Sequence, residues 1–205
     1  MERKKKGLFR VMAFALTMVL LTASIGGNVN AGAASKKKTV VLYFSATGTT
    51  RSVAQKIKKA SKGTMIEIKA ADPYTDADID YGNDNSRVVK EHESAASPAA
   101  SSVRPEIANL KQIKKAVKKA DIVYIGYPIW WGEAPHIMYT LVENTNLKGK
   151  TVVPFSTSVS SGMGQSGSHL KTKAVVSAQT KWSAGKGFYG RSSQKTVNKW
   201  MKTVK

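Results

Sequence analysis

Residues 39–57 read TVVLYFSATGTTRSVAQKI. Thr39 to Phe44 is β-branched and apolar at consecutive positions, the pattern of a strand covered on both faces. Val53, Ile57 and Ala60 then recur at helical spacing, with Lys56, Lys58 and Lys59 on the opposite face. Between strand and helix lies a short turn in which Ser45, Thr47, Thr49 and Thr50 surround Gly48. A doubly buried strand that turns tightly into an amphipathic helix is the opening unit of a parallel sheet sandwiched between helices.

The alternation continues along the chain. Thr64 to Ala70 reads as a second strand, and Leu110, Ile113 and Val117 repeat at helical spacing with lysines outward. Asp121 to Tyr127 is again apolar on both faces. Ala134 to Val142 suits a helix, with Pro135 near its first turn, where a missing N–H does no harm. Lys150 to Ser156 is a fourth strand, Gln179 to Phe188 a weaker fifth interrupted by glycines. Val197, Trp200, Met201 and Val204 give a closing helix capped by Ser192 or Ser193. These elements predict an α/β, doubly wound, five-stranded parallel sheet over residues 39–205.

One connection, Ala71 to Pro105, is too long to be ordinary. Its middle, SRVVKEHES, suits a helix, and SAASPAASS reads as a flexible loop. Its aspartates fail as a calcium loop: counting from Asp76, Tyr81 stands where glycine is needed and Arg87 where glutamate is needed. Capping and turn roles suit them better.

Three strand ends carry the chemistry. In the first turn, unpaired backbone N–H groups at the helix amino terminus and four hydroxyls can hold a phosphate without a cation. The triphosphate loop is excluded because no lysine follows Gly48 in the required way, and the dinucleotide glycine fingerprint is missing. After the third strand comes PIWWG, residues 128–132. Two indoles beside a phosphate cradle suit a flat aromatic ligand, although one of them can instead cover the sheet edge. After the fourth strand, PFSTSVSSGMGQSGS supplies N–H and O–H donors with almost no charge, able to read the polar edge of a heterocycle.

Together YFSATGTTRSVAQKI, DIVYIGYPIWWGEAPHIMYTLVE and GKTVVPFSTSVSSGMG resemble the three binding segments of the flavodoxin family, in the branch whose second loop reads P-I-W-W-G. The resemblance runs from Thr39 to the carboxyl end. It implies a flavodoxin-like sheet of order 2-1-3-4-5 and FMN as cofactor. It further implies that Ser45, Thr47, Gly48, Thr49 and Thr50 hold the phosphate, that Pro128, Ile129, Trp130, Trp131 and Gly132 line the isoalloxazine, and that Thr157, Ser158, Ser160, Ser161 and Gly162 close its far edge. Two departures stand out: Thr49 replaces a common asparagine, and Val159 and Ser160 replace paired glycines.

Residues 1–31 form an expected secretory signal: a basic head (Arg3, Lys4, Lys5, Lys6, Arg10), an apolar run from Val11 to Ile25, and small residues suited to cleavage. The alternative is an uncleaved amino-terminal anchor. A basic lead-in, 32–38, follows. The chain has no cysteine, and its net charge is +20, most of it beyond the leader. Stability must therefore come from packing. The charge is spread over several helices without a recognition motif, which disfavours specific nucleic-acid binding and suits acidic cell-wall polymers. The expected function is that of a secreted or cell-surface FMN protein, free of the membrane once cleaved. It would carry electrons to a redox partner protein or reduce a small acceptor of quinone type. The alternatives are a flavin-binding or scavenging module without turnover, and a cofactor-free basic surface protein. No catalytic acid or base is required, so His92, His136 and His169 are expected in surface or core roles.

Overall fold

The computed structural model describes residues 37–204. The expected leader, 1–31, and most of the lead-in lie outside these residues. The sheet is built from β1 (Thr39–Tyr43), β2 (Thr64–Glu67), β3 (Ile122–Pro128), β4 (Thr151–Ser158), β5 (Lys181–Trp182) and β6 (Lys186–Tyr189). Every pairing is parallel, in the order β2-β1-β3-β4-β5, and β6 also pairs with β4. The expected order 2-1-3-4-5 is present, with one extra strand.

That extra strand arises because the weak fifth segment is divided. β5 and β6 are two short pieces lying one after the other along β4. Gly185, at φ 76°, turns the chain between them. A Cβ on Gly187 would come within 2.7 Å of the Met163 backbone nitrogen. The glycines that weaken the strand pattern thus make room for the loop that crosses it.

The described residues form six α-helices, of which all but α2 pack on the sheet: α1 (Thr49–Ser61), α2 (Arg87–Glu93), α3 (Leu110–Lys119), α4 (His136–Asn144), α5 (Ser166–Lys173) and α6 (Gln194–Met201). Because strand side chains alternate, each central strand feeds two cores. On one face Val41, Tyr43, Val153 and Phe155 meet Val53 and Ile57 of α1 and Val197 of α6. On the other, Val40, Leu42, Val123 and Ile125 meet Ile113 and Val117 of α3, Ile137 and Leu141 of α4, and Leu170 of α5.

Three details depart from the sequence reading. Ala60 is exposed, and Ala54 takes the buried place on α1. The third loop ends at Gln165, since α5 follows it. The SAASPAASS stretch is tied down: Pro98 is buried, the Ser94 and Ser101 hydroxyls lie 2.6 Å apart, and Arg104 grips Glu143 through two contacts of 2.8 and 2.9 Å. The expected helix in the long connection is α2, capped by Ser86, whose hydroxyl accepts from the Val89 N–H. Asp78 and Asp80 close local turns, accepting from the Thr75 and Gly82 N–H groups at 2.8 and 2.9 Å. Ser193 is the cap of α6.

Gly126 on β3 pairs with Phe155 on β4, and a methyl group on Gly126 would overlap the Phe155 ring. Gly126→Ala should cost about 1–3 kcal/mol, the usual penalty for overfilling a packed core. Urea unfolding of the two proteins measures this, and equal midpoints would show that the ring is free to move aside.

Candidate functional site

Strand order reverses around β1: the chain leaves it for β2 on one side and reaches β3 on the other. In open parallel sheets the crevice outside such a switch point is where ligands settle. The first turn lies there. Gly48 adopts a left-handed conformation, φ 83°, and its carbonyl accepts the Ser52 N–H at 3.1 Å. The Ser45 hydroxyl accepts the Arg51 N–H at 3.2 Å, and the Thr47 and Thr49 hydroxyls lie 3.4 Å apart. Among the described residues, the N–H groups of Thr49 and Thr50 find no acceptor. They therefore remain available as donors at the positive end of α1, in two residues that border the crevice.

The second loop is a two-residue reversal. Trp130 and Glu133 exchange both backbone hydrogen bonds at 2.9 Å, and the two central residues, Trp131 at φ 46° and Gly132 at φ 80°, are both left-handed. This is the mirror-type turn that glycine accommodates readily and tryptophan does not. Trp131 is held there by stacking. Its ring lies parallel to His92 at 4.5 Å and tilted against Tyr81 at 4.6 Å, both residues belonging to the long connection. Trp130 points the other way, edge-on to Phe44 at 5.7 Å and to Tyr74 at 5.5 Å. From the far side, His169 Nδ1 contacts the Glu133 carboxylate at 2.7 Å and anchors the loop to α5.

The third loop is joined to both others. The hydroxyls of Thr50 and Thr157, both buried, lie 2.7 Å apart, and the Ile129 N–H donates to the Thr157 carbonyl at 2.9 Å. Ser158 closes the loop's own bend by accepting the Gly162 N–H at 2.9 Å. The three loops enclose a cavity of about 530 Å³.

Of the expected site residues, Ser45, Thr47, Thr49, Thr50, Pro128, Ile129, Trp130, Thr157 and Ser158 line this cavity. Gly48 shapes the turn from behind. Trp131, Gly132, Ser160, Ser161 and Gly162 stand outside the lining. The wall also includes residues that the sequence reading did not select: Ile79 and Tyr81 from the long connection, Val159, and Tyr189, Gly190 and Arg191 from the end of β6. The last three lie just beyond Phe188, where the expected fifth strand ends, so the rule that ligands lie at strand ends covers them although the sequence reading does not select them.

The flavodoxin family profile matches residues 38–204. This chain belongs to the flavodoxin family. Two solved structures designated flavoproteins resemble this flavodoxin. One, from Bacteroides eggerthii DSM 20697, is 38% identical, with 82% of this chain and 98% of the other covered and a TM-score of 0.67. The other, from Bacteroides uniformis ATCC 8492, is 36% identical, with 82% and 99% covered and a TM-score of 0.68. A flavoprotein from Lactobacillus acidophilus NCFM in complex with FMN shares the fold at 21% identity, with 80% and 99% covered and a TM-score of 0.50. No match is found among curated proteins.

In this flavodoxin the Trp130 wall is backed by a buried polar cluster. Glu91, 5% exposed, accepts from the Tyr74 hydroxyl at 2.8 Å and from Arg87 Nε at 3.0 Å. The Arg87 guanidinium also lies 3.9 Å over the Tyr74 ring and reaches Asp72 at 3.2 Å. Burial raises the Glu91 carboxyl above its ordinary value, an effect opposed by these hydrogen bonds. Burial, then the Glu91 charge, pushes the Tyr74 hydroxyl up, so it remains a donor. His136 Nδ1 lies 3.8 Å from Glu91, and its Nε2 is buried without a partner among the described residues. Burial, followed by the Arg104 and His92 charges, lowers His136 to about 4.

His136 therefore binds fewer protons folded than unfolded between about pH 4 and 6.5. Its contribution is fully present above pH 6.5 and is lost as the pH falls toward 4. Glu91 acts with the opposite sign in the window just above the usual carboxylate range, since its folded value is raised. His136→Gln should make stability less sensitive to acid, removing about 2 kcal/mol of the loss between pH 7 and pH 4.5. The comparison is of urea midpoints at the two pH values within each protein. Equal acid losses in the two would exclude His136 as the source.

Proposed function

We propose that this chain binds FMN and acts outside the cell as an electron carrier or as a reductase of small planar acceptors. The supporting observation is the meeting of three loops around one cavity, pinned by the Thr50–Thr157 contact of 2.7 Å. Its volume of about 530 Å³ falls within the ~300–1,000 Å³ usual for cofactor sites. The donor set fits the cofactor's parts. Hydroxyls and free N–H groups at the start of α1 suit a phosphate, Trp130 offers an apolar face to a ring, and Thr157 and Ser158 offer polar atoms to its edge. FMN, when bound, supplies the one- and two-electron chemistry, and the protein supplies orientation and field.

The reading extends to acceptor and location. The exposed large hydrophobic residues among those described are Tyr81, Trp131, Val159 and Tyr189. Three of them line the cavity, and Trp131 packs tilted against Tyr81, so they form an apolar rim around one opening. Such a rim suits a flat apolar acceptor, such as a quinone, better than a scavenging module or a charge-driven adhesin. The basic head, apolar run and small residues before position 32 support export. Beyond residue 31 the chain keeps 28 of its 33 basic and 12 of its 13 acidic residues, a net charge of +16 that supports retention on acidic wall polymers.

The exported protein should take up one FMN per chain and turn yellow. Trp130→Ala should weaken uptake by about tenfold to a hundredfold, the loss expected from one aromatic stacking partner. Fluorescence titration of the apoprotein reads both, and a wild-type protein that quenches no flavin would refute the assignment. A second expectation concerns the field. A positive protein favours the negatively charged reduced flavin, so the potential of the last electron should fall by tens of millivolts, on the order expected for screening, between low and high salt. Redox titration at two ionic strengths tests this, with a rising potential as the contrary result.

A further inference from the structure

We infer that Arg191 is the phosphate-binding cation of this site and sets its preference for FMN over riboflavin. The inference rests on the FMN reading above. The described residues contain four arginines. Arg51 pairs with Glu67, Arg87 with Glu91 and Asp72, and Arg104 with Glu143. Among the described residues Arg191 alone of the four has no carboxylate partner, and it alone lines the cavity. It is also the single charged side chain on that wall, which carries no acidic group.

Local geometry puts Arg191 at the phosphate end. β6 finishes at Tyr189, and the Ser192 N–H returns to the Tyr189 carbonyl at 2.9 Å, so Gly190 and Arg191 form the tip of a tight turn. That tip lies against the first loop: a Cβ on Gly190 would be 3.0 Å from Thr49 Cγ2. Below it, the Gln194 side chain donates to the Lys56 carbonyl of α1 at 3.0 Å, which ties the start of α6 to the same helix. The turn therefore carries Arg191 to the rim formed by Thr47 and Thr49, opposite the free N–H groups of α1. A guanidinium here adds a fork of donors to a cradle otherwise built from neutral groups, and a phosphate is the ligand part that matches it.

The test compares FMN with riboflavin, which lacks the phosphate, by fluorescence titration of wild type, Arg191→Gln and Arg191→Lys. Lys148→Gln, an exposed position far along the chain, controls for net charge. The expected result is a loss of about tenfold to a hundredfold in FMN affinity for Arg191→Gln, the scale of one charge-assisted hydrogen-bonded pair. Riboflavin affinity should stay unchanged, and Arg191→Lys should recover part of the loss. The salt dependence of FMN binding should flatten in Arg191→Gln and persist in Lys148→Gln. Equal losses for both flavins would place Arg191 on the ring system and overturn the assignment. Wild-type FMN affinity in Arg191→Gln would overturn it while leaving the FMN reading intact. A wild-type protein that takes up neither flavin would remove both.

Discussion

Because β1, β3 and β4 are hydrogen-bonded in parallel, their carboxyl ends emerge at one end of the sheet, and everything functional here depends on that. Thr39 pairs with Ile122 and Ile122 with Thr151, so the three strands begin level. Antiparallel strands would send these loops to opposite ends. The two apolar cores hold the pairing, since each central strand alternates side chains between them. A buried threonine pair then joins the first turn of α1 to the end of β4 directly, and the Ile129 N–H joins the second loop to the same residue of β4. The cavity is thus a consequence of strand direction, with hydrogen bonds at the ends fixing its width.

The long connection after β2 is part of the site's support. It returns beside β2, where Ala70 bridges Ile107, and brings Tyr74, Tyr81, Glu91 and His92 against the second loop. A left-handed tryptophan costs roughly 1–2 kcal/mol in backbone conformation. Stacking on His92 and packing against Tyr81 offset this strain, and the opposed placement frees Trp130 to line the cavity. The two indoles divide the work: one lines the cavity, and the other clamps the loop to the insertion. The buried Glu91 serves the same end by fixing Tyr74, whose ring edge meets Trp130.

How legible this was in the sequence depends on how much apolar burial each segment carries. β1, β3 and β4 are buried on both faces and announce themselves as unbroken apolar runs. α1 and α3 show clear periodicity because one face meets a sheet and the other meets water. α5 escapes notice because Leu170 is its only large apolar anchor, with Ser166 and Gly167 filling the rest of its buried side. β6 is legible only as the tail of a weak fifth strand, because Gly185 and Gly187, which must clear Met163, blur the strand signal and hide the break between β5 and β6. The cavity residues after β1, β3 and β4 thus follow strong strand signals, whereas Tyr189, Gly190 and Arg191 follow a weak one. The sequence left open that one indole turns away from the cavity, and it does not say which, since the sign of a backbone torsion is not written in composition.

The phosphate cradle illustrates what a local motif leaves out. Read along the chain, the Ser45–Thr50 turn is a neutral site, built from hydroxyls and helix-terminal N–H groups. Read in space, it has a second side, because α6 lies against α1 and the turn before α6 crosses the α1 amino terminus. Position 191 borders the same cavity as the cradle because its turn packs against Thr49 of α1. A fold can thus change the charge of its anion site by one substitution in a distant turn, leaving the hydroxyl motif and the sheet untouched. That separation of a neutral cradle from an adjustable cation is a property of the α1–α6 contact, and it makes the site's electrostatics independent of the segments by which the site is recognised.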